Sequence, residues 1–561
     1  MNKKVKIFII FVFLIFITEF AYASERLFFK MNPEVSNTET SDIHKVKTGN
    51  KTIIVTANPY ATNAAFEMIK LGGNAVDAAV AAQLVLGLVE PQSSGIGGGS
   101  FALYYNKSQK KILNYDGRER APEDITETVF LNNKGKPKKF FDAVIGGQSV
   151  GVPGTLKMLN KMHSDNGSLK WDILFKPALR LSFNGFYPSP RLIKSLKKDR
   201  YLWKSLKKKN PFVNVIESPE SLIFNHEYGR TLEKISKDSN YFYNGRLSDE
   251  IIKVIRNVQK NPGFMKKTDL LSYKANVSNA ICKDFLNFNI CGPNLPSSGG
   301  ILIIQAITIF ESLNKKQQKD INNILEILDY VYKTREGLGD PEFEKISLDE
   351  LLDKKKILQS YKKFRKDTRV LKEVTENFNS TSHFSILDPM GNLISMTSSI
   401  ENSFGSRLFV EGFFLNNQLT DFKFSPVIEG VAQKNKVAGN KRPLSSMTPI
   451  IVLDKKNNLL FSTGSPGGTA IISYVIKTII DVLYHKKEPI LSVREGNYVK
   501  KNGVIYLEKD KFNINDFKNK VTNFKKIKEV NLTSGLTIIL KRHKDYIGVA
   551  DPRRDGSVFA Q

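Results

Sequence analysis

Near residue 380 the chain changes period. From about Asp142 to Asn377 its apolar residues recur mostly at helical spacing, between lysine-rich connections. From Thr381 onward alternating, strand-like runs dominate, broken by one clear helical run after Gly468, "TAIISYVIKTIIDVLY". No linker, repeat or low-complexity stretch separates the two regions. Two independent domains are therefore disfavoured, and both halves should build one structure. The junction itself reads "ENFNSTSHFSILDPMGN", Glu376 to Asn392. Thr381 to Leu387 alternates as a half-buried strand does, Asp388-Pro-Met-Gly-Asn is turn chemistry, and Leu393 to Ile400 is the return strand. With the turn centred near Met390, Thr381 falls opposite Ser399. Two hydroxyls then face each other at the open end of a hairpin.

Ahead of the junction, "KTIIVTANP" reads as a strand, and Ala61 to Leu71 as a helix stopped by Gly72-Gly73. A second helix runs from Ala75 to about Val89 and meets the loop "EPQSSGIGGGS". "GQSVG" (Gly147 to Gly151) has the spacing of a nucleophile elbow, but Pro153 and two glycines prevent the helix that must follow the serine. "SGIGGGS" (Ser94 to Ser100) misses both phosphate-loop patterns, so close backbone packing or an anion nest explains it better. "TGSPGG" (Thr463 to Gly468) lies between a strand and a helix, where Gly467 and Gly468 can offer backbone N–H groups to a developing oxyanion. "RPLSSMTP" (Arg442 to Pro449) adds paired serines before a further strand. Six dispersed histidines lack metal-ligand spacing, so no metal and no organic cofactor is expected.

The chain has 561 residues, 41% of them hydrophobic, enough for a sizeable core. It opens with three lysines, a short apolar run from Ile7 to Ile17, and Ala21-Tyr22-Ala23. This is the pattern of a signal peptide cleaved after Ala23, residues 1–23. The run is short for a membrane span, so the mature protein is expected to be periplasmic or secreted without stable membrane insertion. The net charge is +28, from 84 basic and 56 acidic residues, but the lysines are scattered and no nucleic-acid-binding motif accompanies them. A solvated basic surface is the expectation, with no nucleic-acid partner. The two cysteines, Cys282 and Cys291, flank a tight strand-turn-strand. They stand as either a disulfide or two buried thiols.

Taken together, a series of stretches resembles the γ-glutamyltranspeptidase (glutathione hydrolase) family, from about Lys51 to Gln561. They are "GGNAVDAAVAA", "EPQSSGIGGG", "DGRERAP", "SVGVPG", "PSSGG", "GLGDPEF", "STSHFSILD", "GFFLNNQLTDF", "NKRPLSSMTP", "TGSPGG" and "GVADPRRDG", in the family's order. The resemblance implies an α+β N-terminal nucleophile hydrolase fold, an αββα sandwich of two stacked antiparallel sheets between helical layers. It also implies a precursor that cuts itself at Ser380–Thr381 into a large subunit (24–380) and a small one (381–561). The two stay together as a heterodimer sharing one catalytic domain. Thr381 would then be the nucleophile, with its new α-amino group as base, and Asn377 to Ser380 the end that leaves the site.

The resemblance further assigns Ser399 to the hydroxyl that supports the nucleophile and Gly467 with Gly468 to the oxyanion site. Arg118, Ser445 and Ser446 would hold a substrate α-carboxylate, and Gln418 with Asp421 the α-ammonium. The implied substrates are glutathione and other γ-glutamyl compounds, with water, an amino acid or a peptide as acceptor. In two places the chain departs from the family's pattern. Glu401 stands where familiar members have asparagine on the ammonium side. Only 23 residues separate Asp421 from Ser445, with no aromatic in their middle to cap a pocket. Both features also fit an acylase acting on glutaryl-like amides, as with cephalosporins. A non-catalytic periplasmic binder of γ-glutamyl compounds is the alternative from another class.

Overall fold

The computed structural model describes residues 45–199, 201–202, 210–213, 215, 218–366 and 380–561. The expected signal peptide and the segment Asn377 to Asn379 lie outside them. Among the described residues no helix is long and apolar enough to cross a membrane.

Two seven-stranded sheets form the centre. In one, the strands run in the order Ser557–Ala560, Ile53–Thr56, Ser382–Leu387, Leu393–Ser399, Gly99–Asn106, Lys111–Gly117 and Asn276–Asn279. In the other the order is Val46–Gly49, Asp545–Ala550, Thr537–Arg542, Leu459–Gly464, Ile450–Asp454, Phe288–Gly292 and Ile281–Asp284. Every pairing within these two sheets is antiparallel. Both mix strands from before and after residue 380, as the absence of a linker predicts.

Strand alternation sorts the core into three apolar layers. On the strand Ile53–Thr56, Ile53 and Val55 face the other sheet beside Leu103, Leu387, Ile451 and Ile539. Ile54 points the opposite way, with Phe384, Ile386 and Met396, against the helices Pro59–Lys70 and Ala75–Val89. The second sheet covers its outer face with Gly299–Ser312, Ile321–Arg335 and Ile471–Ile479. This is the expected αββα sandwich.

The helix Ala75–Val89 is buried along its whole length, and its alanines let it lie close to the sheet. Asn74 caps it, its side chain accepting from the N–H groups of Val76 and Asp77 while Asp77 returns a bond to Asn74 N–H. Asp388, in the turn of the central hairpin, accepts from Ala75 N–H at 3.0 Å. That contact ties the hairpin to the helix start.

Cys282 and Cys291 sit directly across from each other on paired strands and form a disulfide, with 4.1 Å between Cα atoms. Of the two readings the cysteines allowed, the bridge is the one found.

Candidate active site

The central hairpin has the register its sequence suggests. Ser382 pairs with Ser398 and Leu387 with Leu393, so one step further Thr381 meets Ser399. Their hydroxyl oxygens are 3.1 Å apart. Thr381 Oγ1 donates to the carbonyl of Ser380 at 2.7 Å, and Ser399 Oγ lies 3.2 Å from the same oxygen. Glu401 N–H donates to Ser399 Oγ at 2.9 Å, which leaves that hydroxyl's own proton for the Ser380–Thr381 pair. The carbonyl of Thr381 accepts from Arg554 at 3.0 Å. A hydroxyl thus lies against the amide that precedes it, and a second hydroxyl can stabilise charge on that amide's oxygen.

Thr381 and Ser399 open onto a narrow cleft, which Gly468 also lines. Gly467, at φ 127, and Gly468, at φ 56, carry the chain from the strand Leu459–Gly464 into the helix Ile471–Ile479. A Cβ on Gly467 would stand 2.7 Å from the Tyr474 ring, so the turn admits only glycine. Among the described residues no acceptor meets the N–H of Gly467 or Gly468. They stand at a helix start, where backbone N–H groups favour negative charge.

The opposite side of the cleft is polar. Arg118, Glu401, Gln418, Asp421, Ser445 and Ser446 all line it. Arg118 Nη2 donates to Asp421 at 2.6 Å and to the Leu444 carbonyl at 3.1 Å, and its Nε donates to the Pro443 carbonyl at 2.9 Å. A bidentate pair with a ligand carboxylate, as the resemblance implies, therefore needs Asp421 to turn away from Nη2. Gln418 donates to Asp421 at 2.6 Å, and its side-chain oxygen is buried without a partner. Ser446 Oγ is likewise buried and unpartnered.

Two further carboxyls shape the field. Glu119 is completely buried, 3.6 Å from Arg118 Nη1, yet no side chain donates a hydrogen bond to either of its oxygens. Burial raises it to about 8, against the pull of Arg118. The geometry alone suggests an ion pair, but the cost of desolvating a buried carboxylate outweighs the pull of Arg118 and favours the neutral acid. Glu401 is also raised to about 8, first by burial and then by Asp421, while Asn417 donates to its carboxyl. Arg118 and Asp421 are then the charged pair that the cleft presents.

Arg442 holds these parts in place. It bonds Asp116, two residues before Arg118, and both oxygens of Asp340 in "GLGDPEF". Ser445 and Ser446 follow it three and four residues later. Three stretches distant in sequence are thus clamped around one buried guanidinium. The cleft also includes Arg335, Met447, Thr469 and Ile471, which the sequence reading missed. Arg335 ends a helix just before "GLGDPEF", and that proximity was the one available signal.

The remaining sequence candidates take structural parts. Ser149 of "GQSVG" lies in a short 3-10 turn, its hydroxyl spent on the Val144 and Gly146 carbonyls. Gly97 and Gly98 of "SGIGGGS" run against the backbones of Phe414 and Ser399, where a Cβ would come within 2.2 and 2.1 Å of carbonyl oxygens. No residue between Asp421 and Ser445 lines the cleft. That segment carries a small exposed hairpin, Val427–Ile428 with Val431–Ala432, and its Phe424 stacks on Phe130.

Comparison with known proteins gives a consistent picture. The family model described as Gamma-glutamyltranspeptidase matches residues 61–561. The glutathione hydrolase proenzyme of Bacillus subtilis (strain 168) is 33% identical over 476 residues, 79% of this chain and 78% of that protein. That of Escherichia coli (strain K12) is 31% identical over 487 residues, 80% and 81% respectively. Among solved structures, a cephalosporin acylase from Bacillus halodurans superposes with a TM-score of 0.79 at 20% identity, over 94% of this chain and 98% of that one. At that identity the likeness speaks for the fold. Helicobacter pylori γ-glutamyltranspeptidase matches at 27% identity and a TM-score of 0.51, over 55% of this chain and 90% of that one.

Proposed function

This chain belongs to the γ-glutamyltranspeptidase family, and we propose that it is an exported precursor that cuts itself at Ser380–Thr381 to become a γ-glutamyl hydrolase and transferase. The carrying observation is that Thr381, in contact with the carbonyl it would attack, shares one cleft with the Arg118–Asp421 pair. An arginine and an aspartate 2.6 Å apart match the α-carboxylate and α-ammonium of a free amino-acid head group.

In self-cleavage Thr381 Oγ1 adds to the Ser380 carbonyl, with Ser399 donating to the oxyanion. The C–N bond breaks, the hydroxyl proton passes to the departing nitrogen, and water opens the resulting ester. This frees the α-amino group of Thr381, whose ordinary pKa of about 8 suits a general base. In turnover that amine takes the proton of Oγ1 as it attacks the γ-carbonyl, and the N–H groups of Gly467 and Gly468 hold the oxyanion. The α-carboxylate lies on Arg118 with Ser445 and Ser446. Asp421 exchanges Arg118 for the ammonium, helped by Gln418. Glu401, neutral at pH 7, accompanies the ammonium without adding charge. Glutathione is the donor we propose, and water or an amino acid or peptide the acceptor. A glutaryl amide lacks the ammonium that would release Asp421 from Arg118, so it should be the poorer donor.

The test is intact mass and activity of the purified protein. The expected small chain is Thr381–Gln561, and Thr381→Ala should give one uncut, inactive chain. Full activity in an uncut wild type would overturn the mechanism, and a preference for glutaryl amides over glutathione would overturn the substrate class.

A further inference from the structure

The loop "EPQSSGIGGG" and the helix Pro190–Lys198 take no part in the chemistry above, yet they meet directly beneath the bond to be cut. Along an extended chain successive side chains point to opposite faces. Thr381 points into the cleft, so Ser380 and Ser382 point away from it, into the protein. Arg191, 4% exposed, donates from Nη2 to Ser380 Oγ at 2.9 Å and from Nη1 to Ser93 Oγ at 2.8 Å. Ser93 Oγ and Ser380 Oγ are 2.9 Å apart, closing a triangle. Glu90 pairs with Arg191 Nη1 at 3.4 Å and accepts from Ser382 Oγ at 3.3 Å. One buried ion pair therefore grips the residues on both sides of Thr381. None of Arg191, Glu90, Ser93 and Ser380 lines the cleft.

We propose that Arg191 is a positioning residue for self-cleavage, holding Ser380 so that its carbonyl stays within reach of Thr381 Oγ1 and Ser399 Oγ; this rests on the cleavage reading above. A peptide with a free rotation about Ser380 would present its carbonyl to both hydroxyls only part of the time. Anchoring the side chain by a charged donor and a neighbouring hydroxyl removes that freedom before the bond is made. The step itself is unchanged: Oγ1–C forms, C–N breaks, the hydroxyl proton goes to nitrogen, and water supplies the Ser380 carboxylate. Arg191 neither gives nor takes a proton. Once the bond is cut, Ser380 leaves the grip and only the indirect contact through Glu90 to Ser382 remains, so γ-glutamyl turnover should depend far less on Arg191 than cutting does.

The experiment follows purified Arg191→Met and Arg191→Lys by intact mass, and measures glutathione hydrolysis per mole of cut protein. Arg191→Met should lengthen the half-time of cutting at least tenfold, Arg191→Lys should be intermediate, and kcat/KM per mole of cut protein should stay within about threefold of wild type. Cutting of Arg191→Met at the wild-type rate would overturn the proposal. So would cut Arg191→Lys with the same deficit in kcat/KM as in cutting rate, because Arg191 would then be a general structural support. If Arg191→Met fails to fold, the Arg191→Lys comparison decides by the same two readouts. A wild type that never cuts would instead overturn the cleavage reading, a result distinct from either.

Discussion

Ser399→Ala should separate the two tasks that we assign to one hydroxyl. In the fold, Ser399 Oγ accepts from the buried Glu401 N–H at 2.9 Å. Leaving that donor without a partner should cost about 1–3 kcal/mol of stability. The same oxygen lies 3.2 Å from the Ser380 carbonyl oxygen, where negative charge would develop in the proposed cleavage. Loss of one donor at such a position typically slows a reaction about 10²- to 10³-fold. Thr381 cannot substitute, because its own proton leaves as its oxygen attacks. The assay is a time course of intact mass after purification, with urea unfolding of Ser399→Ala and native side chains compared in a Thr381→Ala background, where cutting cannot interfere. Ser399→Thr keeps the hydroxyl and should recover much of the rate. Cutting of Ser399→Ala within a few-fold of wild type would refute the role of Ser399 at the scissile carbonyl, whatever its effect on stability.

Glu401→Gln tests the raised carboxyl. Folded Glu401 holds its proton up to about 8, against an ordinary 4.5, so its stabilising contribution is complete below pH 4.5 and is lost as pH rises through 8. The variant should gain stability relative to wild type across that window and run parallel above it, read from urea midpoints; parallel curves throughout would show Glu401 ionised. Gly467→Ala should cost about 1–3 kcal/mol through its backbone angle alone, with more from the Tyr474 ring, and a native-like urea midpoint would contradict the turn. Cys282→Ser opens a bridge spanning nine positions and should lower stability by about 2–3 kcal/mol while leaving the mass pattern of cutting unchanged.

The sequence was most informative where structure is local. The hairpin register followed from alternation plus Asp388-Pro-Met-Gly-Asn, because a turn of known length fixes which residues face each other. The helix Ala75–Val89 was readable as an apolar run between Gly72-Gly73 and the loop "EPQSSGIGGGS", whereas its Asn74 cap emerged only in the fold. The turn at Gly467 and Gly468 was visible as paired glycines between strand and helix. Contacts across hundreds of residues left no such trace. Arg442 meets Asp116 over 326 positions, and Arg191 meets Ser380 over 189. Nothing in the spacing of either arginine distinguishes it from the many solvated ones. The same holds for Asp421, whose place in one pocket with Arg118, on the α-ammonium side, was implied by resemblance, but whose direct hydrogen bond to the guanidinium was not.

The strand Ile53–Thr56 lies between Ser557–Ala560 and Ser382–Leu387, so a ribbon from the first part of the chain is stitched on both edges to ribbons from the last part. Cutting at Ser380–Thr381 would leave that stitching intact, and the two pieces should not separate on dilution. What changes is molecularity. Before the cut an opened molecule closes again as a single chain, at a rate independent of concentration. After it, the two pieces must find each other, and at low concentration an opened molecule has no practical way back. The mature protein's lifetime would then be set by how rarely it opens, and no longer by how favourably it folds.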